Sequence, residues 1–320
     1  VSTALRDPRT PRPEDERLPI GRTLGYGLQH VLTMYGGIIA PPLIVGSAAG
    51  LSSAEIGALI ASCLFVGGLA TILQTVGIPF FGSQLPLVQG TSFAAVATMV
   101  AILESDGGDI QRVFGAVLVA SIVGFLIAPV FARIIRFFPP VVTGVVITMI
   151  GIALLPVAAN WAMGGNASAK EYGSPVNIGL AMATLCSALL LTRFGSVAVR
   201  RLAILLSMAF GTLLAALLGT ADFSRVGQGS FFAFPQPLAF GWPAFEIGSI
   251  ISMIVVVLVI LTETTADIVA LGQIVGTKVS KRRIADGLRA DMAASILARS
   301  STHLRKAHSL KTSVSPPLPA

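Results

Sequence analysis

The chain has 320 residues, of which 54% are hydrophobic and only 12% charged. Soluble domains carry about a quarter of their residues as charges, so this composition excludes an ordinary soluble enzyme or binding module and predicts an all-α polytopic membrane protein. The net charge of +7 would point to nucleic acid in a soluble protein, but here the basic residues lie in short stretches between apolar segments, where they set topology, and nucleic acid is not an expected partner.

Val1 to Arg22, with five arginines, four acids and four prolines, reads as a cytoplasmic tail. A first apolar segment, Leu24 to Val45, contains Gln29-His30 and Pro41-Pro42, and a second runs from Ala54 to Ile78. The third, Leu85 to Leu103, is expected to be a broken span. Gly90 interrupts it, Val88, Thr91 and Phe93 favour extended backbone, and only Ala94 to Leu103 reads as helix, too short to cross a bilayer. Such a break leaves backbone groups unpaired at membrane depth, which is tolerated only beside protein or a polar cavity and is how secondary transporters make sites. Further spans are expected at Val113 to Phe131, Pro139 to Ala158, Pro175 to Thr192, Leu202 to Leu218 and Phe245 to Gly272, giving eight. Cys63 and Cys186 fall inside apolar segments and read as small buried side chains rather than a disulfide.

Loop charge sets the orientation. With the N-terminus inside, the inner segments hold fifteen Lys or Arg and the outer loops three, Arg112, Lys170 and Arg225, which fits eight crossings of the cell membrane with both ends cytoplasmic.

The last span carries the residues least at home in lipid. Ile251 to Thr262 is almost wholly apolar, then Glu263 appears, with Asp267 four residues later on the same helix face. An ionisable group at this depth costs at least about 2.5 kcal/mol on insertion scales, so it faces a protein-lined cavity and marks a substrate or proton path. Glu263 is the expected centre of a transport site. Asp267 is open to a structural or a proton-coupling role. His30, with Gln29, reads first as a helix–helix hydrogen-bonding group, and Gln89, Thr91 and Ser92 as groups that satisfy the freed backbone. Phe93 is either packing or a ring placed to stack on a flat ligand. No metal-ligand cluster or nucleophile–base pair accompanies them, so neither a cofactor nor enzymatic activity is expected.

Three stretches carry a resemblance: QHVLTMYGG at 29–37, GSQLPLVQGTSFAAVATMVAI at 82–102, and ETTADIVALGQIVGTKVSKRRIADGLRADMAAS at 263–295. Together they resemble the nucleobase-ascorbate transporter family, also called nucleobase-cation symporter 2, and within it the bacterial xanthine and uric acid permeases. The resemblance implies a uracil-permease-like fold of fourteen spans in two inverted repeats of seven, forming core and gate domains in a homodimer. It implies proton-coupled transport of a nucleobase, with the proton gradient in place of any cofactor. On that template Glu263 accepts hydrogen bonds from ring N–H groups, Phe93 stacks on the ring, and the backbone at Thr91 and Ser92 helps hold it, while Asp267, His30, Gln29 and Gln89 support the site or the proton coupling.

The same template divides the chain into the tail 1–22, a first repeat at 23–220, an outer loop with the eighth span at 221–297, and a polar stretch at 298–320 that departs from the family pattern. Back-translation of Ser309 to Val314 in the neighbouring frame recovers Phe-Ala-Gln-Asn-Val-Gly, which holds the family's Gln-Asn-x-Gly motif. Arg299 to Ala320 is therefore read as out of frame, the chain as a truncated permease, and His303 and His308 as without function. A chain so truncated is expected not to transport by itself. Two readings stand beside the purine symporter: a non-transporting fragment or pseudogene product, and an anion transporter of the related sulfate-transporter architecture, which would need a positive site where this chain has Glu263.

Overall fold

The computed structural model describes residues 18–134, 140–165, 169–221, 223–224 and 240–300. Its helices are α1 (Ile20–Ala48), α2 (Ser53–Val76), α3 (Val96–Glu104), α4 (Ile110–Ile134), α5 (Pro140–Ala162), α6 (Pro175–Phe194), α7 (Val197–Arg201), α8 (Ala203–Leu217), α9 (Ile247–Val275) and α10 (Lys281–Ser300). Five of them, α1, α2, α4, α6 and α9, are long and apolar enough to cross a membrane. Eight spans were expected; the other three positions hold the shorter apolar helices Phe93–Glu104 and Ala203–Leu217 and, within α5, the apolar stretch Gly151–Ala162 among the described residues. The expected tail up to Arg17 and the stretches 225–239 and 301–320 lie outside the described residues, as do Arg225, His303 and His308.

Local chemistry starts and stops these helices where the sequence supplies it. Ser52 opens α2 with a reciprocal cap: its hydroxyl accepts from the Glu55 N–H, and the Glu55 carboxylate accepts from the Ser52 N–H at 2.8 Å. Gly77, at φ +68°, closes α2, and a tight turn follows in which Ile78 and Phe81 exchange backbone hydrogen bonds of 2.8 and 2.9 Å. Residues 83–92 are without helix. A single 3-10 turn, Phe93–Ala95, then leads into α3.

The core forms where α4, α9 and α10 meet. Val113, Ala116 and Ala120 of α4, Leu261 and Ile268 of α9, and Leu288 of α10 are fully buried in one cluster with Leu85 and Val96. The helices approach closely through glycine. A Cβ on Gly124 of α4 would lie 2.6 Å from Val257 and 2.7 Å from the Met292 sulfur, and one on Gly287 of α10 would lie 2.7 Å from Ile268. A second layer, α5, α6, α7 and α8, is built differently: α6 has no buried residue, and α8 buries only Ala203, Ser207 and Gly211. The two thiols separate accordingly. Cys63 of α2 is half-buried and Cys186 of α6 is exposed, not buried as expected, because α6 turns no side to a core; they are not bonded to each other.

Candidate functional site

The broken third span is held open by side chains. Thr71 of α2 accepts from the Gln89 N–H at 2.9 Å, and Thr91 donates to the Ile38 carbonyl of α1 at 3.2 Å. Both bonds satisfy backbone groups: Gln89 offers an N–H that no helix uses, and Ile38 lies four residues before Pro42, which has no N–H with which to take up that carbonyl. Gly90 sits where a Cβ would come within 3.0 Å of Ile38, and Gly67 of α2 faces the Gln89 carbonyl at 3.2 Å from its own would-be Cβ. The extended segment is thereby pressed between α1 and α2.

Its end reaches α9. Ser92 does two things with one oxygen: it caps the 3-10 turn by accepting from the Ala94 N–H at 3.2 Å, and it donates to Glu263 Oε2 at 3.1 Å. A bond between residues 171 positions apart joins the broken span to the mid-helix carboxylate. Glu263 stands two residues from the buried Leu261 and Thr265, roughly 200° or its complement around the helix, and so lies away from the stripe that α9 packs on α4 and α10. Glu263 is half-buried and Asp267, one turn on, is exposed. Phe93 is half-buried and packs on the core cluster, Gln89 and Gln29 are half-buried, and His30 is exposed on α1.

Sequence reasoning missed one acidic group. Asp291 of α10 accepts from the Thr264 hydroxyl at 2.8 Å, one residue along α9 from Glu263. The missed signal was periodic: Ile284, Leu288 and Met292 recur every four residues after Ser280, whose hydroxyl caps the start of α10 by accepting from the Arg283 N–H at 3.2 Å. Five basic residues hid that stripe, because they fitted a cytoplasmic loop.

Beside these groups lies a cavity of about 160 Å³, walled by Gln89 to Ser92 of the broken span, Cys63 and Gly67 of α2, Met253 and Ile260 of α9, and Asp291 and Ser295 of α10. Ser92 and Asp291 border it, whereas Glu263 and Phe93 do not, so the serine links the cavity wall to the carboxylate. Among the described residues no group of His, Cys, Asp and Glu is placed to hold a metal ion. The arrangement offers acceptor oxygens, hydroxyls and backbone groups within an apolar surround, suited to a small polar solute or a proton.

Five helices long and apolar enough to cross a membrane define a polytopic membrane protein, and within it a mid-helix carboxylate is bonded to a broken span that other helices hold in place. The profile of the Permease family matches residues 21–300, and the chain belongs to this family, nucleobase-cation symporter 2, whose members are permeases rather than enzymes. It is 40% identical over 284 residues to the "Uric acid transporter UacT" of Escherichia coli (strain K12), covering 88% of this chain and 59% of that protein. It is 41% identical over 268 residues to the "Uric acid permease PucJ" of Bacillus subtilis (strain 168), covering 82% of this chain and 59% of that protein. Over 277 residues it is 39% identical to a "Xanthine permease" of the same organism, covering 87% of this chain and 63% of that protein. The chain thus spans about three fifths of the length of these relatives.

Proposed function

We propose that the parent activity is proton-coupled transport of a purine of the xanthine and uric acid class across the cell membrane, with the N-terminus cytoplasmic and the protein a homodimer. Supporting the substrate class are relatives named for uric acid and xanthine at about 40% identity. Supporting the site is one observation above the others, the 3.1 Å bond from Ser92 to Glu263. It holds a carboxylate acceptor at the mouth of a chain break, which suits a flat ring with adjacent N–H donors.

In this reading Glu263 accepts from the ring N–H groups, replacing the Ser92 hydroxyl, and the freed backbone at Thr91 and Ser92 meets the ring's other edge. Phe93 stacks on the ring once it turns from the core. Asp267 and Asp291 are the proton-handling groups, with Thr264 holding Asp291, and Gln29, His30 and Gln89 support the helices. The carboxylates gathered here disfavour the anion-transporter alternative, because an anion would meet Glu263 at close range.

The test is ligand binding by the whole chain in lipid nanodiscs, with radiolabelled xanthine and urate as probes. Glu263→Gln keeps the size and loses the charge; charge-assisted hydrogen bonds contribute about 1.5–3 kcal/mol, so binding is expected to weaken roughly 10- to 150-fold. Purine binding unchanged in Glu263→Gln, or binding of sulfate in place of either purine, overturns the proposal.

A further inference from the structure

Where α2 and α9 end, the chain builds a second polar site that the carboxylate site does not use. The turn at 77–84, the linker at 276–280 and the first turns of α10 enclose an open cavity of about 1150 Å³, bordered by Phe80, Lys278, Arg282, Arg283 and Asp286. Residues 276–290 hold five basic side chains, Lys278, Lys281, Arg282, Arg283 and Arg289, against one acid, Asp286.

That acid is already engaged. Arg289 Nη1 lies 2.7 Å from its Oδ1, and Arg282 Nε is 3.8 Å from its Oδ2. Arg283 is engaged as well: its guanidinium donates to the Ser83 and Gln84 carbonyls, the latter at 2.6 Å, and so fastens the turn to α10. Lys278 is exposed at the cavity, and Arg282, whose side chain is 78% accessible, meets Asp286 only at the long distance of 3.8 Å.

Backbone adds to this field. The first helical bond of α10 runs from the Ile284 N–H to the Ser280 carbonyl, so the Lys281 and Arg282 N–H groups precede it, at the positive end of the helix dipole. The opposing end of α9 is muted, since the Gly276 and Thr277 N–H groups cover the Gln273 and Gly272 carbonyls at 3.2 and 2.9 Å. An apolar rim lies alongside: Val76, Ile78, Phe80 and Ile274 are all more than half exposed, and the Arg282 and Arg289 guanidinium groups stand 5.9 and 6.0 Å from the Phe80 ring centre.

We propose that this cavity binds the phosphate of an anionic phospholipid, with Lys278, Arg282 and the first amides of α10 on the headgroup and the acyl chain along Val76 and Ile274. Phosphate chemistry alone would admit a soluble phosphate too. The exposed apolar rim, at the ends of two helices long and apolar enough to cross a membrane, favours the lipid.

The experiment places the whole chain in phosphatidylcholine nanodiscs with graded phosphatidylglycerol, reading lipid retention by native mass spectrometry and the unfolding midpoint by fluorescence. Phosphatidylglycerol is expected to be retained selectively and to raise the midpoint, and Lys278→Gln/Arg282→Gln is expected to weaken retention about 30-fold. Arg193→Gln/Arg200→Gln, the same charge loss on other helices, is expected to leave it unchanged. Equal loss in both double variants, or inorganic phosphate raising the midpoint in pure phosphatidylcholine as far as phosphatidylglycerol does, overturns the proposal. If Lys278→Gln/Arg282→Gln does not fold, Lys278→Glu in the exposed linker carries the same comparison.

Discussion

The body formed by α1–α4, α9 and α10 and the layer formed by α5–α8 are packed differently. In the body, α4 buries residues on nearly every turn, from Ile110 to Ala132, and its glycines let α9 and α10 approach until an added Cβ would collide. In the layer, α6 buries nothing and Gly144, Gly151 and Gly179 have open space around them, while Gly211 of α8 approaches α6, where an added Cβ would lie 2.4 Å from the Thr184 hydroxyl oxygen. Helices that are apolar all round and unburied are built for lipid, whereas helices that spend glycine on close approach are built to hold a fixed geometry. The carboxylate site belongs to the second kind: the bonds Thr71–Gln89, Thr91–Ile38, Ser92–Glu263 and Thr264–Asp291 each join two elements of the body.

Glycine substitutions give the largest expected contrast. A Cβ on Gly115 would lie 1.9 Å from the Ala244 carbonyl oxygen, a backbone atom that cannot turn aside. Gly115→Val is expected to abolish folded, monodisperse protein, since overpacking of even a well-packed core costs about 1–3 kcal/mol and here the clash is with backbone. Gly179→Ala on α6 is expected to be neutral or to gain up to about 1 kcal/mol from helix propensity. Fluorescence-detected size exclusion after a heating series reads both, and equal tolerance at the two glycines would remove the distinction between body and layer.

Side-chain truncation comes next. Leu261→Ala empties a fully buried position on α9 and is expected to cost about 2–5 kcal/mol. Leu189→Ala on α6, where the side chain is 61% exposed, is expected to stay within about 0.5 kcal/mol. Unfolding midpoints in one detergent would show the split, and a large loss at Leu189 would mean that α6 packs on something in solution.

Much of this organisation was legible in the residues. The break at Gly90 and the restart of helix were expected at Ala94, and the 3-10 turn begins at Phe93; the expected span Leu202 to Leu218 is α8, Ala203–Leu217. These succeeded because hydropathy and glycine act locally. Glu263 stood out because a charge within twelve apolar neighbours is costly wherever the chain folds. What was not legible was which partner the carboxylate finds: Ser92 read as a backbone satisfier, and nothing in a linear pattern aims its hydroxyl at a residue 171 positions away. Asp291 was missed with its helix, whose Ile284, Leu288 and Met292 stripe is narrow and flanked by arginines. His30 lies in the exposed first half of α1, which turns only its second half, from Ile38 on, toward the core.

Hydroxyls sharpen the contrast at a smaller scale. Thr264 donates across to Asp291, whereas Thr212 of α8 donates only to the Met208 carbonyl of its own helix. Thr264→Val leaves a carboxylate short of a donor and is expected to cost about 1–3 kcal/mol, while Thr212→Val is expected to be nearly silent. Unfolding midpoints of Thr264→Val, Asp291→Asn and the double variant test this, because a real coupling makes the double variant less damaging than the sum of the singles.

The smallest effect concerns how the two regions start their helices. Glu246 caps α9: its carboxylate accepts from the Gly248 N–H at 2.8 Å and from the Ser249 N–H, and these bonds, those from Ser249 foremost, hold it below the usual carboxylate range. Ser174 caps α6 by accepting from the Asn177 N–H at 3.2 Å and has no proton to take up in this range. A carboxylate whose folded pKa is depressed stabilises the fold above its unfolded value, about 4.3, and loses that contribution as pH falls through the folded value. The midpoint difference between the parent protein and Glu246→Ala is therefore expected to shrink on acidification from pH 7 to below pH 4, while the difference for Ser174→Ala stays constant. A Glu246 difference that does not change with pH would mean that the cap acts through packing or a neutral hydrogen bond, and the two helix starts would then be alike.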